Sequence, residues 1–336
     1  MKQKRKRYIV SRVICAVLIV IFVALGVFLG VWFFGADYSE FDALSTAEAA
    51  LPDLSDGFVP QGTCALNENA AGFTYAVSGY YGGAPSRIYL LGDGEPAYIT
   101  VKENGEELTT HFGGVAATDN YLFVASEKDV VRLPLASVYA QAANNGAVEV
   151  LDALETDMGI AFVSVYGDTL LAGEFYRAGN YETDLSHHIT VNDETNRALV
   201  YCYTIDESAE GGVTDKTPYA AISVRDLVQG IAVTDTNIYI SCSWGLADSG
   251  LYCYRNILSQ ETELTVTVNG KSVPLHFLGE SELVSSLKKV PSMSEGIFVK
   301  DNKLFVLFES KCNKYKYFVR RQTGDLLSLP LTAFGG

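Results

Sequence analysis

The chain has 336 residues, of which 48% are hydrophobic, with 25 Lys and Arg against 40 Asp and Glu, for a formal net charge of −15. This length and hydrophobic content allow a sizeable core in one or two domains. The acidic balance argues against nucleic-acid binding and against docking on anionic lipid, because both need basic patches.

The N-terminus is predicted to be a membrane anchor. Residues 1–12 hold six of the basic residues, residues 13–34 carry no charge, and the first acidic residue is Asp37. A run of 22 residues is long enough to cross a hydrocarbon core of roughly 30 Å. The positive-inside rule then places the short tail in the cytoplasm and residues 35–336 outside.

A cleaved signal peptide is the competing interpretation of this segment. Its apolar region would be about 7–15 residues long, with a small-x-small site close behind. Here the apolar run is longer, and the nearest Ala-x-Ala, at residues 47–49, lies well beyond its end. An uncleaved signal anchor is therefore favoured. Residues beyond the anchor contain no Asn-x-Ser/Thr sequon, and the layout is typical of a bacterial cell-envelope protein with an extracellular domain.

Residues 35–56 are acidic and small, and we interpret them as a linker that could also contribute one strand to the following domain, residues 57–336. Five cysteines lie beyond the anchor, in spacings that match no zinc site. Cys242 and Cys253 are equidistant from the centre of the turn at 245–250. This spacing allows a cross-strand disulfide, whereas buried free thiols are the alternative.

One sequence pattern recurs along the chain: an apolar strand that begins with Gly, an Asp/Asn turn, and a strand of aromatic and β-branched residues. It is clear at residues 114–126, 230–243 and 296–308, and looser at 62–77 and 162–173. The copies begin at 62, 114, 162, 230 and 296, and further strand-like stretches, such as 315–319 and 326–331, follow them. Four strands at a period of about 45–70 residues indicate β-propeller blades, which bury both faces only by stacking around an axis.

The sequence Gly230-Ile-Ala-Val233, followed by the Asp/Asn turn and Ile238-Tyr-Ile240, resembles the repeats of propellers of the NHL and YVTN-like kind. The resemblance covers about residues 57–334, is one of fold only, and implies an all-β domain of five blades. Wide insertions at 176–217 and 257–290 leave six blades as the alternative. Asn269-Gly270 predicts a hairpin, and residues 281–289 predict a short helix.

The first strand of each propeller blade lines the central channel, so the residues just before the repeat glycines are candidates for a binding site at its mouth. These candidates, with one nearby histidine, are Gln61, Gly113, Gln229, Glu295 and His111. The alternative is a structural role in bonding the backbone of neighbouring blades. The ends of the second strands form another ring, whose aromatic residues could stack on sugar rings or merely bridge blades: Tyr80, Tyr81, Phe175, Tyr176 and Trp244.

Four carboxylates occupy equivalent blade positions: Glu127, Glu174, Glu295 and Glu309. A glycosidase needs two carboxylates about 5–5.5 Å apart for retention or about 6.5–9.5 Å apart for inversion, and nothing in the sequence singles out such a pair. His187 and His188 lie in an acidic insertion that is interpreted as a solvated loop, so no metal is predicted. No cofactor motif is found.

The sequence thus predicts a membrane-anchored extracytoplasmic β-propeller that recognises a protein or a cell-envelope glycan. The alternative is a glycan-active hydrolase or lyase using carboxylates at the propeller funnel, and a binding role is favoured over an enzymatic one.

Overall fold

A computed structural model describes residues 13–15, 17–27, 30, 35–213 and 215–335. The predicted cytoplasmic tail, residues 1–12, and part of the predicted anchor, including residues 31–34, lie outside the described residues. In the part of the chain that is described, no helix is both long and apolar enough to cross a membrane.

Five antiparallel blades are arranged around a central axis. Their innermost strands are Val59–Ala65, Phe112–Ala117, Phe162–Tyr166, Val228–Val233 and Ser294–Lys300. Each inner strand packs against the inner strand of the next blade, and the fifth packs against the first, so that the ring is closed. The described residues therefore form a five-bladed β-propeller, as the repeat spacing predicts.

Three further strands complete each blade, in order from the axis outward. The second strands are Phe73–Tyr81, Tyr121–Ser126, Thr169–Gly173, Asn237–Cys242 and Lys303–Phe308. The third strands are Ala84–Gly92, Asp129–Pro134, Ala198–Thr204, Ser249–Arg255 and Asp325–Pro330. The outer strands are Ala97–Glu103, Asp152–Glu155, Ala220–Val224, Leu283–Val290 and, for the fifth blade, Thr46–Ala50.

Smaller elements decorate this frame. The additional strands are Glu106–Glu107, Ala147–Glu149, Ile189–Val191, Glu194–Asn196, Thr265–Val268 and Lys271–Phe277. Among the described residues from 35 onward, the α-helices are Ser39–Leu44 and Leu135–Ala142. Short 3-10 turns are found at Leu54–Asp56, Leu185–His187, Glu210–Gly212, Glu280–Glu282 and Leu331–Phe334.

The N-terminal segment closes the ring. Strand Thr46–Ala50 pairs antiparallel with Asp325–Pro330, and Phe41 just before it is fully buried against Phe308, with ring centroids 5.8 Å apart. The range 35–56, interpreted from sequence as a linker with one possible strand, thus contributes that strand and a packed helix. Residues 315–319 form turns and not the predicted strand, so without the N-terminal strand the last blade would expose an unpaired edge.

The second insertion extends the rim. Asn269 and Gly270 take positive φ angles of 50° and 77° in a tight hairpin, as predicted, and strand Lys271–Phe277 of that hairpin pairs with the outer strand of blade 3. The short helix predicted at 281–289 is wrong, because most of this stretch is the outer strand Leu283–Val290 of blade 4. The leucines at positions 283 and 287 have a helical spacing. The stretch is nevertheless a strand, because it pairs with the otherwise open edge of strand Ser249–Arg255.

The strand register of blade 4 separates its two cysteines. Cys253 lies opposite Tyr239, and Cys242 lies opposite Gly250, because the connecting turn is not symmetric about the midpoint that the sequence suggests. All five cysteines beyond the anchor run are buried free thiols.

The repeat glycines allow the blades to meet at the axis. A Cβ built on Gly114 would lie 2.3 Å from the backbone nitrogen of Val163 in the next blade, and one on Gly62 would lie 2.6 Å from the carbonyl oxygen of Gly113. Neighbouring inner strands therefore approach backbone to backbone, which only glycine permits at these positions.

Candidate functional site

A cavity of about 900 Å³ opens at one end of the channel and is lined by residues of all five blades. It lies where each inner strand begins and each second strand ends, and these two ends coincide because the strands are antiparallel; Val59, for example, pairs with Tyr80. The two rings described from sequence as separate therefore line one cavity. Eleven of the thirteen predicted site residues do so: Gln61, Tyr80, His111, Gly113, Glu127, Glu174, Phe175, Gln229, Trp244, Glu295 and Glu309.

Tyr81 and Tyr176 do not line this cavity. Successive side chains of a strand point to opposite faces, so Tyr81 faces away from Tyr80 and its hydroxyl bonds with Tyr89 at 2.9 Å. Tyr176 is 5% exposed and packs against His188, with ring centroids 5.3 Å apart.

Backbone bulges carry the side chains that precede the repeat glycines. The pairing of the inner strands shifts register around Gln61, Gly113, Gln229 and Glu295, whereas the inner strand of blade 3, which lacks the glycine, pairs without a shift. A bulge leaves one residue outside the ladder and redirects its side chain. This explains why polar residues at these positions reach the cavity.

Glu295 and Glu309 form a buried pair of carboxyl groups. They are 3% and 9% exposed, and Gln61 Nε2 donates a hydrogen bond to Glu309 Oε2 at 2.8 Å. Burial and the charge of Glu309 raise the pKa of Glu295 well above its usual range. Burial also raises the pKa of Glu309, to about 7, although Lys314 and Gln61 oppose the rise. The pair therefore holds a proton at neutral pH.

A carboxylate–imidazole dyad lies on another wall of the cavity. His187 Nδ1 is 2.9 Å from Glu174 Oε1, and the same oxygen accepts a hydrogen bond from the backbone nitrogen of Leu199 at 2.9 Å. Burial alone would lower the pKa of His187, but the hydrogen bond and charge of Glu174 outweigh it and raise the pKa above its usual value. Both residues are about 3% exposed, so Glu174 holds the ring in one orientation.

The interpretation of residues 187–188 as a solvated loop is therefore wrong for His187. Asp184 accepts a hydrogen bond from the backbone nitrogen of Ser186 at 2.8 Å and starts the short turn Leu185–His187. This turn folds the histidine back onto the cavity. Among the described residues, no group of three or more His, Cys, Asp or Glu side chains is arranged to hold a metal ion.

The cavity lining is acidic. Among the described residues that line it, none is a lysine or arginine, and seven carry a carboxyl group: Glu127, Asp157, Glu174, Glu182, Asp184, Glu295 and Glu309. Burial and the charge of Lys314 lower the pKa of His111 to about 4, so that its imidazole is neutral at pH 7. The cavity therefore favours a positively charged ligand.

Aromatic rings form part of the walls, and three of them already contact cations of the chain. Trp244 packs beside Phe175, with centroids 6.0 Å apart, and the Arg177 guanidinium carbon lies 4.1 Å from the centre of the Trp244 ring. On the other side, Lys314 Nζ donates to the Tyr80 hydroxyl at 2.8 Å and lies 4.8 Å from the centre of the Tyr315 ring.

Several lining residues are missed by sequence reasoning: Asp157, Tyr181, Glu182, Asp184, His187 and Tyr315. They lie in loops and turns outside the repeated hairpins, where no repeat marks them. The Asp-Leu-Ser-His sequence of residues 184–187, with an Asp that can cap the turn, is the one local signal that could have located His187.

No protein-family model matches the chain, and no curated protein is similar to it in sequence. Among solved structures, it is similar to glutaminyl cyclase of Myxococcus xanthus, at 10% identity over 79% of this chain and 91% of that one, with a TM-score of 0.41. It is also similar to the WD40 β-propeller domain of Doa1, at 11% identity over 80% and 95%, with a TM-score of 0.39.

The β-propeller domain of Cps50 (Swd1) from Myceliophteria thermophila is similar at 9% identity over 81% of this chain and 70% of that one, with a TM-score of 0.38. Likeness at this level concerns the fold alone. The fold-level resemblance to repeat propellers is confirmed. The assignment of five blades follows from the strand pairing of this chain itself.

Proposed function

We propose that this protein is a membrane-tethered, extracytoplasmic binding protein whose propeller cavity takes a ligand bearing a protonated amine. The observation that carries the proposal is the lining of seven carboxyl groups without a lysine or arginine among the described lining residues. An ammonium group would pair with these carboxylates and lie against the aromatic walls. The cavity, at about 900 Å³, is of the size that binds ligands of a few rings or residues.

The corner around Lys314 supports this choice of ligand chemistry. There an amine of the chain itself is held by the Tyr80 hydroxyl and two aromatic rings, and its charge acts on Glu309. A ligand amine would use the same combination of carboxylate and aromatic face deeper in the cavity. A cell-envelope glycan with free amino sugars and a protein segment with exposed lysines share this chemistry.

The tether is the uncharged run of residues 13–34 behind six basic residues. As a signal anchor it would hold the propeller outside the cytoplasmic membrane. Alkaline extraction of membranes, with protease treatment of intact cells, tests this part: the chain should stay with the membrane, and the propeller should be reached from outside. Release into the soluble fraction would contradict it.

The ligand is tested by thermal unfolding of the full-length protein in nanodiscs with matched amine and acetylated compounds. One arm uses a glucosamine tetramer and its fully N-acetylated form, and the other a lysine-rich peptide and its acetylated form. A hundredfold excess over the dissociation constant stabilises the folded state by about 2.7 kcal/mol, and only the free amines should do so. The arm that responds identifies the source of the amine.

Substitution of Glu295 and Glu309 by Gln provides the matched control, because the shape of the side chains is kept and the carboxyl groups are lost. The double variant should lose the response to amines. Equal stabilisation by amine and acetylated compounds would refute the proposed ligand chemistry.

A second candidate function, acid–base catalysis on a glycan, is favoured by the proton-sharing pair. One protonated and one ionised carboxyl are what general acid–base hydrolysis needs, and Glu295 and Glu309 supply both at neutral pH. The single substitution Glu309→Gln separates the two functions. Loss of turnover of a bound glycan with unchanged affinity indicates an enzyme, whereas loss of affinity without any turnover in the wild type indicates a binding protein.

A further inference from the structure

The chain enters the propeller on the face where the cavity opens. The Tyr38 hydroxyl donates to Asp248 Oδ1 at 2.8 Å, and Asp248 lies in the turn between the second and third strands of blade 4, at the cavity end. Arg321 forms an ion pair with Asp42 from the loop between the second and third strands of blade 5. The first described residues of the domain are thus fixed to the rim of the cavity.

This attachment limits how far that rim can stand from the membrane. Only residues 35–37 separate Tyr38 from the end of the apolar run. Fully extended, this connection spans about 14 Å at roughly 3.5 Å per residue. If the run crosses the bilayer, the cavity face is therefore the part of the propeller nearest to the lipid, and the opposite face points away.

The same face carries the most exposed large apolar side chains of residues 35–335. Leu185, Tyr317 and Phe318 are 80%, 72% and 60% exposed. Leu185 lies beside the cavity-lining residues 184 and 187, and the other two lie in the loop that follows the cavity-lining Glu309. Val284, which is 45% exposed, lies at the start of its strand, next to Leu283, which pairs with Tyr254. This end of the strand is the one away from the cavity, so Val284 marks the far face.

Charge along the blade 5 loop also differs from that of the domain. Residues 13–336 carry 19 basic and 40 acidic residues, because six of the 25 Lys and Arg lie in the N-terminal tail. The loop 311–321, by contrast, holds five basic residues and no acidic one. The acidity that argues against docking of the whole domain on anionic lipid is thus absent from the loop sequence that carries Tyr317 and Phe318, while Asp42 and Asp248 of the rim pair with its two arginines. Aromatic side chains flanked by Lys and Arg are typical of residues at a membrane interface.

We infer that the cavity face of the propeller lies against the membrane, with Tyr317 and Phe318 in the lipid headgroup layer. This inference rests on the proposed tether. A ligand then reaches the cavity through the gap between the propeller and the bilayer. Insertion of the aromatic pair, rather than attraction to anionic lipid, keeps the cavity face against the bilayer. This orientation therefore does not require anionic lipid and should form on zwitterionic lipid.

The experiment places a fluorescent label on either face of the full-length protein in nanodiscs of zwitterionic phosphatidylcholine. Cys15, the one exposed thiol of the described residues, is replaced by Ser, since the other cysteines are buried. Tyr317→Cys or Val284→Cys then takes an environment-sensitive fluorophore, and a headgroup spin-labelled lipid is added as quencher. The label at 317 should be quenched several-fold more strongly than the label at 284.

Flotation of the same samples distinguishes the failure of this inference from the failure of the tether. Protein that floats with the lipid but shows equal quenching at both positions, or stronger quenching at 284, refutes the orientation and leaves the tether in place. Protein that does not float refutes the tether and the orientation together. Exchange of Phe318 for Ser in the labelled Tyr317→Cys protein should reduce the quenching at 317 at least twofold while flotation persists.

Discussion

Replacing Glu309 by Gln is expected to stabilise the protein at pH 8 and to leave its stability unchanged at pH 4.5. The folded-state pKa of Glu309 is raised by burial to about 7 from an ordinary value of 4.5. Below pH 4.5 the carboxyl is protonated in both states, whereas above pH 7 folding must bury a charge. The stability that the proton gives is present at low pH and is lost as the pH rises through 7.

The size of this effect follows from the shift. At about 1.4 kcal/mol for each pH unit between 4.5 and 7, ionisation of the buried carboxyl destabilises the folded state by on the order of 3 kcal/mol at pH 8. Gln removes the charge and can still accept the hydrogen bond from Gln61. The variant should therefore unfold a few degrees above the wild type at pH 8.

The assay is thermal unfolding of the full-length protein in detergent, followed by near-UV circular dichroism at pH 4.5, 6 and 8. Glu261→Gln, at an exposed position outside the cavity, is the matched control and should leave the midpoints within about 0.5 kcal/mol of wild type. A Glu309→Gln protein that is no more stable than wild type at pH 8 would refute the reasoning that burial holds a proton on this pair.

Three further substitutions test other parts of the account. Glu174→Gln should lower the pKa of His187, measured by NMR titration of its ring protons, because the raised pKa depends on that carboxylate. An unchanged pKa would show that Glu174 does not stabilise the protonated ring. Gly114→Ala should destabilise the protein in urea unfolding by several kcal/mol, since its Cβ meets backbone 2.3 Å away, whereas Gly94→Ala, with nothing within 4 Å, should not. Phe41→Ala should cost about 3–5 kcal/mol in the same assay, and a loss below 1 kcal/mol would contradict the role of this segment in closing the ring.

The repeated hairpins made the fold predictable. Their Gly, Asp/Asn turn and aromatic strand are local patterns, and the glycines reflect a contact between blades that every copy shares. The fourth strands were harder to assign. Thr46–Ala50 is a short run of small residues whose partner lies about 280 residues away, and such a pairing leaves no local signal. In residues 283–290 the leucines have a helical spacing, but the stretch forms a strand because it can pair with an open sheet edge.

The site was predictable to the extent that it lies on the repeats. Gln61 and Glu295 precede repeat glycines at the start of inner strands, whereas Glu309 follows the end of a second strand. Antiparallel pairing brings these two kinds of strand end together. His187 could not be found in this way, because its contact with Glu174 depends on how an insertion of more than ten residues folds back. The interaction of Glu295 with Glu309 was also hidden, since sequence position gives neither their burial nor their mutual repulsion.

The most direct test of the proposed function is the number of protons released when the amine ligand binds. Isothermal titration of the glucosamine tetramer or the lysine-rich peptide at pH 7, in two buffers of different ionisation enthalpy, measures this number. An ammonium group beside the carboxyl pair lowers the pKa of both, so about one proton should leave per ligand. The double variant Glu295→Gln, Glu309→Gln should show neither binding nor proton release. Binding without proton release, or equal binding of the acetylated compounds, would contradict the account.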